Sequence, residues 1–489
     1  VKDGRVGINP DGKAGSFIEK IFTKKRERPK ERYFAALSKG LICNSSKYSI
    51  NKIIMKKFFL CAMIALAVSS CQNDDSSADS SFSMKSASAD YSGYPTAVQT
   101  VSGDITTNTT WTSDRVWEIE GVVRVKSGAT LTIEAGTFIK AKPLAVGVAT
   151  GVLVITKTGK IDAQGTATAP VIFTSYNLLD GAATTATPGD FGGVVLLGDA
   201  PVNTGVDTNI IEGLGDQPNV SDFYYGGPNA NHNAGSLNYV RIEFAGRIIT
   251  NLVDVEINGL TFGGVGSGTT IDHVQVSYGR DDSFEFFGGT VNASHLVSFA
   301  PDDDNFDFDF GYTGTITKAV AIADSNSTHS LSSGQPDSNG IELDNNAAGS
   351  STTLITRPVL NQLSIIGVSS STVADLYENA IHVRRLGQIR LVDATVTGYN
   401  TGIRWDSPSL PANSSYLRVS IHGFDNVALP VGTVISGLGT TTSIVDPATP
   451  WGLAQPFFNN SNPIDFTGNT GAFKNEPLWT DTWTKFTNF

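Results

Sequence analysis

Between residues 281 and 309 the chain concentrates carboxylates at a repeated spacing: Asp281, Asp282 and Glu285, then Asp303, Asp304 and Asp307 each 22 residues later, with Asp309 beyond. Carboxylates this crowded raise one another's pKa or take up a cation. Three readings compete for them. Ca2+ accepts oxygen ligands from carboxylates and carbonyls, and Asp302-Asp303-Asp304-Asn305 offers them in consecutive residues, so Asp281, Asp282, Asp303, Asp304, Asp307 and Asp309 are candidate metal ligands. Two of the carboxylates could instead act as general acid and base on a glycosidic bond. The third reading is a hydrated row of turn aspartates without a ligand. Farther along, Glu342, Asp344, His382, Arg384, Arg385 and Arg404 change the sign of the charge. Such a junction is either a cleft for a sugar or uronate, whose carboxylate arginine grips bidentately, or a set of cross-strand ion pairs such as Asp344 with Arg384.

The elements that must position these groups are legible in five segments that align on one another. They are Phe284-Glu285-Phe286-Phe287, Phe306-Asp307-Phe308-Asp309, Ile341-Glu342-Leu343-Asp344, Ile381-His382-Val383-Arg384 and Ile403-Arg404-Trp405-Asp406. First and third residues are apolar and the second and fourth mostly charged, the period of a strand with one buried face. Short polar residues precede each segment, as in a tight turn. Phe284 to Phe306 and Ile381 to Ile403 are both 22 residues, one coil of a solenoid. The longer gaps hold Ser/Asn/Gly-rich stretches, 324–339 and 345–353, expected to be inserted loops.

Parallel strands lie about 4.8 Å apart, so outward residues of adjacent coils would be about 5 Å apart and those of alternate coils about 10 Å, bracketing the separations glycosidases use. Phe286, Phe308, Leu343, Val383 and Trp405 are expected in one inward stack. Glu285, Asp307, Glu342, His382 and Arg404 are expected to face solvent, where single substitutions change stability little. Short apolar strands upstream (131–133, 152–155, 171–173, 194–197, 239–244, 271–276), 50 glycines and only 17 % charged residues complete an all-β reading. The expected fold is a right-handed parallel β-helix over residues 96–489. Trp451, Trp479 and Trp483 are expected to cap its open end, and Tyr224-Tyr225 to lie on a loop where the rings could stack on sugars. His232, His273, His295 and His329 show no metal-ligand spacing.

Met55 to Ser70 has two lysines, an apolar run and small residues before Cys71, the order of a secretory signal. Val68-Ser69-Ser70-Cys71 resembles a bacterial lipobox, which would make Cys71 the lipidated first residue and outer-membrane lipid a partner. Residues 1–54 are expected to be over-extended translation or unstructured, 55–70 the signal, and 71–95 a disordered tether. From residue 71 onward 20 Lys+Arg face 42 Asp+Glu, a net charge near −22 that disfavours nucleic acid and suits calcium or cationic ligands. No cysteine follows Cys71, which excludes a disulfide, a thiolate zinc site and a cysteine nucleophile in the domain.

Several strings carry a family resemblance: 122–137 (VVRVKSGATLTIEAGT), 159–174 (GKIDAQGTATAPVIFT), Gly192-Gly193 with Gly198-Asp199-Ala200-Pro201, and 239–246 (YVRIEFAG). They resemble a large family of bacterial surface lipoproteins with a pectate-lyase-like β-helix, over roughly 97–489. Gln72-Asn73-Asp74-Asp75 likewise looks like the acidic export signal of Bacteroidetes lipoproteins. The resemblance implies a lipid-anchored protein on the outer face of the outer membrane. It leaves three functions open: binding of a glycan or other extracellular ligand, cleavage of a polysaccharide by lyase or hydrolase chemistry, or service as a shaft or accessory subunit of a TonB-dependent transporter or other barrel protein. Compared with polygalacturonase-type hydrolases, the paired Asp281-Asp282 and His422-Gly423 are present, but the Asn-Thr-Asp and Arg-Ile-Lys boxes are absent. Compared with calcium pectate lyases, no arginine near Arg357-Pro358 is placed over the acids.

Overall fold

The computed structural model describes residues 94–142, 151–179, 186–246, 257–323, 330–332, 335–350, 353–367, 378–444, 471–476 and 479–486. Residues 1–93, including the signal and Cys71, lie outside them, as do His329 and Trp451.

The apolar-polar alternation becomes short strands that pair in parallel with the coil before and the coil after, joining 24 strands into one continuous sheet. The result is a right-handed parallel β-helix. Its first face stacks Val152–Ile155, Gly193–Leu197, Leu260–Gly263, Phe284–Phe287, Phe306–Asp309, Ile341–Leu343, Ile381–Val383, Thr401–Trp405 and Asn426–Leu429. The five segments aligned from sequence are consecutive rungs of this face.

The other two faces share longer strands that bend in the middle, among them Gly235–Glu243, Thr270–Ser277, Asn292–Phe299 and Thr315–Ile322. Each bend is a single residue of positive φ that the pairing skips: Tyr239, His273, His295 and Lys318, continued by Gln362, Asp393 and Arg418. A left-handed residue that is not glycine costs about 1–2 kcal/mol. Stacking from coil to coil offsets that cost, with Tyr239 on His273 at 4.2 Å and His273 on His295 at 4.1 Å between ring centroids.

Inside, Phe262, Phe286 and Phe308 stack at 4.6 and 5.1 Å, and the register continues through Leu343, Val383 and Trp405 as expected. Among the polar residues just before the first-face strands, Ser283, Asn305, Asn339 and Asn379 are buried. Ser298 donates to Ser283 (2.7 Å), Asn305 to Ser298 (2.6 Å), and Asn379 to Asn339 (3.0 Å). These bonds pair most of these buried polar atoms with one another in the core, where an unpaired group would be expensive, though Asn379 Oδ1 keeps no partner.

Trp479 and Trp483 do not sit over the end of the solenoid. They pack edge-on along the flank of the middle coils, Trp483 on Tyr239 and His273 (5.8 and 5.5 Å) and Trp479 on His295 (5.2 Å). The row of rings at the bend offers them an apolar strip, and Gln275 pins the segment by bonding the Lys485 carbonyl at 2.6 Å.

Candidate acidic and basic ladder

The second position of each first-face strand forms one ladder in strict register: Thr261, Glu285, Asp307, Glu342, His382, Arg404. The expected solvent-facing placement needs correction, because Glu285 (6 % exposed), Glu342 (9 %) and His382 (5 %) are buried. Two insertions account for part of this. In residues 199–232, Asn209–Ile210 pairs antiparallel with Tyr224–Tyr225, and the Tyr225 ring packs on Phe287 at 5.9 Å. Asn203 then reaches the second insertion, donating to the Asn345 and Leu354 carbonyls at 2.7 and 3.1 Å. Tyr225 is therefore buried beneath the insertion instead of presented on an open loop.

At the acidic end, Asp281, Asp282 and Asp303 bring carboxylate oxygens within 4.8 Å of one another, and so do Asp282, Glu285 and Asp307. Asp282 accepts the Asp304 N–H at 2.9 Å, Asp304 accepts the Asn339 N–H, and Asn258 donates to Glu285. Oδ1 of Asp307 is buried without a hydrogen-bond partner. Burial first, and repulsion between neighbours second, pushes Asp282, Glu285, Asp304 and Asp307 well above the usual carboxylate range. Burial carries Asp309 to about 7 against the Phe310 N–H, and Asp281 to about 6 against the Asp282 N–H and Arg280. Glu212, from the first insertion, is pushed to about 7 by burial and then by Asp281.

At the basic end the charges are spent on each other. Arg384 grips Asp344 bidentately at 3.0 and 2.8 Å and also bonds Glu342, while Arg385 bonds Asp344. Arg404 joins Glu378 (2.6 Å) to Asp406 (2.9 Å), and His382 Nε2 lies 3.0 Å from the other oxygen of Asp406. Of the two readings open for these residues, the geometry is that of cross-strand ion pairs. Burial still lifts Asp344 to about 6. At Asp406 burial also acts upward, but the hydrogen bonds from His382 and Arg404 outweigh it and the group is lowered.

The model of the pectate-lyase-like β-helix domain family matches residues 103–484, most of the chain. The chain belongs to that family. No curated protein matches it. Among solved structures it is similar to full-length tailspike protein 2 of Escherichia coli O157:H7 bacteriophage CAB120, at 12 % identity and a TM-score of 0.27. That match covers 67 % of this chain and 37 % of the tailspike, so the chain spans little more than a third of the structure it matches.

In this pectate-lyase-like β-helix the candidate metal residues Asp281, Asp282, Asp303, Asp304 and Asp307 come together as the 22-residue spacing implies. Asp309 lies two residues beyond Asp307, in register with Phe287 on one side, and it feels the charge of Asp344 and acts on Asp307. Glu212, Asn258, Asp337, Glu378 and Asp406 join the site without having been singled out. Glu212 and Asn258 come from irregular segments with no periodic signal. Glu378 and Asp406 flank aligned strands, so the repeat itself could have found them. His273 and His295, 22 residues apart, also meet, and with Asp272 they form a group within metal-binding distance that motif spacing alone does not reveal.

Proposed function

We propose that this pectate-lyase-like chain is a surface protein that binds an extracellular polysaccharide along the ladder, with Ca2+ held at its acidic end by Asp281, Asp282, Glu285, Asp303 and Asp307. The observation that carries the reading is the two overlapping carboxylate triads, each within 4.8 Å, with one buried oxygen of Asp307 unpartnered. Buried carboxylates at that spacing need protons or a cation, and a hard divalent ion with many oxygen ligands suits them. Ca2+ also gives an acidic face a means of holding uronate or hydroxyl oxygens of a sugar, which bare carboxylates would repel. Asp304, bonded to the Asn339 N–H, and Asp309 enclose the group and add negative potential. In this reading a lipid on Cys71 tethers the domain to the outer face of the outer membrane.

The test is thermal unfolding of the full chain with Ca2+ and with chelator. Ca2+ is expected to raise the melting temperature by mass action. Asp304→Asn with Asp307→Asn should remove that rise while leaving the metal-free protein as stable or slightly more so. A glycan array in Ca2+ should give binding that chelator removes. An unchanged melting temperature in Ca2+ rejects the cation. Cys71→Ala should abolish lipid labelling, and unchanged membrane retention would reject the anchor.

A second reading, polysaccharide cleavage, is favoured by Glu212 and Asp309, an exposed and a half-buried carboxyl beside the acidic group, both pushed to about 7, where a general acid works. New reducing ends or unsaturated products would establish it. Absence of calcium response, glycan binding and turnover together would leave the shaft or the transporter accessory.

A further inference from the structure

The ladder holds a second metal-ligand constellation, of different chemistry, at the point where its charge changes sign. Asp337, Glu342 and His382 each bring one ligand atom within 4.8 Å of the other two. Glu342 and His382 are direct neighbours on adjacent strands, and Asp337 arrives from the segment that leads into Ile341–Leu343. Two carboxylates with an imidazole differ from the all-oxygen group at the acidic end, because nitrogen draws the preference away from Ca2+ toward zinc-class divalent ions.

The state of His382 points to a ligand independently of this grouping. Its side chain is only 6 % exposed, yet Nδ1 is buried without a hydrogen-bond partner. Nε2 is engaged by Asp406 Oδ2 at 3.0 Å, and Asp406 is itself fixed by Arg404 at 2.9 Å. A carboxylate on one ring nitrogen sets the tautomer in which that nitrogen carries the proton and the other presents a lone pair. That is the arrangement by which proteins orient a metal-binding histidine. His232 is also buried with an unpartnered Nδ1, but among the described residues no carboxylates join it in a ligand group; His382 combines the open nitrogen with two such carboxylates and a third on Nε2.

We infer that Asp337, Glu342 and His382 form a site for a zinc-class divalent cation, with His382 Nδ1 as the nitrogen ligand and Asp406 as the positioning carboxylate. Ligand atoms around a tetrahedral zinc ion are about 3.3 Å apart, so the group closes on the ion by small side-chain movements. Arg384 donates to one oxygen of Glu342 and leaves that carboxylate's other oxygen for the ion. Three protein ligands leave a fourth position for water or for an oxygen of the polysaccharide proposed above. The site does not depend on that proposal.

The probe is Zn2+ alone, added to chelator-stripped full-length protein, with bound metal counted by mass spectrometry after gel filtration and affinity measured by calorimetry. Wild type should retain one Zn2+ per chain in the presence of millimolar Ca2+. His382→Asn and Asp337→Asn should each lose it, while keeping the calcium-induced rise in melting temperature. Asp406→Asn, which touches no metal, should weaken zinc about 10–100-fold. If His382→Asn does not fold, Asp337→Asn decides alone, since Asp337 is only half buried. Failure of wild type to retain zinc, or retention unchanged in Asp337→Asn, overturns the assignment. A calcium response without zinc retention would reject this site and leave the calcium reading intact.

Discussion

The two ends of the ladder share a backbone, a register and a period-two pattern, and they differ in what stands one coil away. On Phe284–Phe287 and just before Phe306–Asp309 the carboxylates of Glu285 and Asp304 receive amide N–H groups, and along the ladder Glu285 and Asp307 are neighbours. On Ile341–Leu343 and Ile381–Val383 the acids meet Arg384, Arg385 and His382. Burial acts upward on Asp344 and Asp406 at one end as on Glu285 and Asp307 at the other. At Asp406 donors outweigh it, whereas at Glu285 and Asp307 like charges add to it. The same fold therefore crowds like charges at one end and pairs opposite charges at the other.

That contrast can be broken most sharply at Arg384. Replacing it with Met leaves Glu342 and Asp344 buried with one exposed arginine between them, and should cost about 3–5 kcal/mol in denaturant unfolding. A loss below about 1 kcal/mol would mean that the basic end is not held by this pair.

The acidic end should respond to pH in the opposite sense to an ordinary salt-bridged surface. Asp281 and Asp309 hold protons in the folded chain up to about 6 and 7, whereas an unfolded aspartate loses its proton near 4. The folded state thus binds more protons between about pH 4 and 7, and stability falls as pH rises through that window. Without calcium the melting temperature should increase on going from pH 8 to pH 5, and saturating calcium should flatten the slope. Glu285→Gln sharpens the same point, because it should leave metal-free stability unchanged or raised by up to about 1 kcal/mol and make the slope shallower. A melting temperature that drops on acidification in chelator would remove the account of this end.

Arg385→Ala should give the smallest effect, under about 0.5 kcal/mol. Its side chain is 44 % exposed, and Asp344 keeps both hydrogen bonds from Arg384.

The solenoid was open to reading because its signal is local and repeated. Each first-face strand shows the same alternation within four residues, and two gaps of one coil length fix which residues become neighbours, so Phe286 over Phe308 and Glu285 beside Asp307 follow directly. The bends at Tyr239, His273 and His295 leave only a faint trace, a change of apolar spacing from two residues to three, as in Ile271, Val274 and Val276, which says that the alternation slips but not that the chain turns a corner there. The flank position of Trp479 and Trp483 has no local signal at all, since the ring surface they cover exists only once those bends align.

What the sequence determined by itself was thus the coil, its inward stack and the order of charges along one face, all set by short-range periodicity. Tertiary structure alone decided whether those charges meet water. Residues 199–232 return over the strands and bring Glu212 beside Asp281, and Asp406 reaches His382 from the next coil. Burial and partner identity set the protonation and cation demand of a carboxylate, and both depend on chain segments many residues away. No window of sequence contains them.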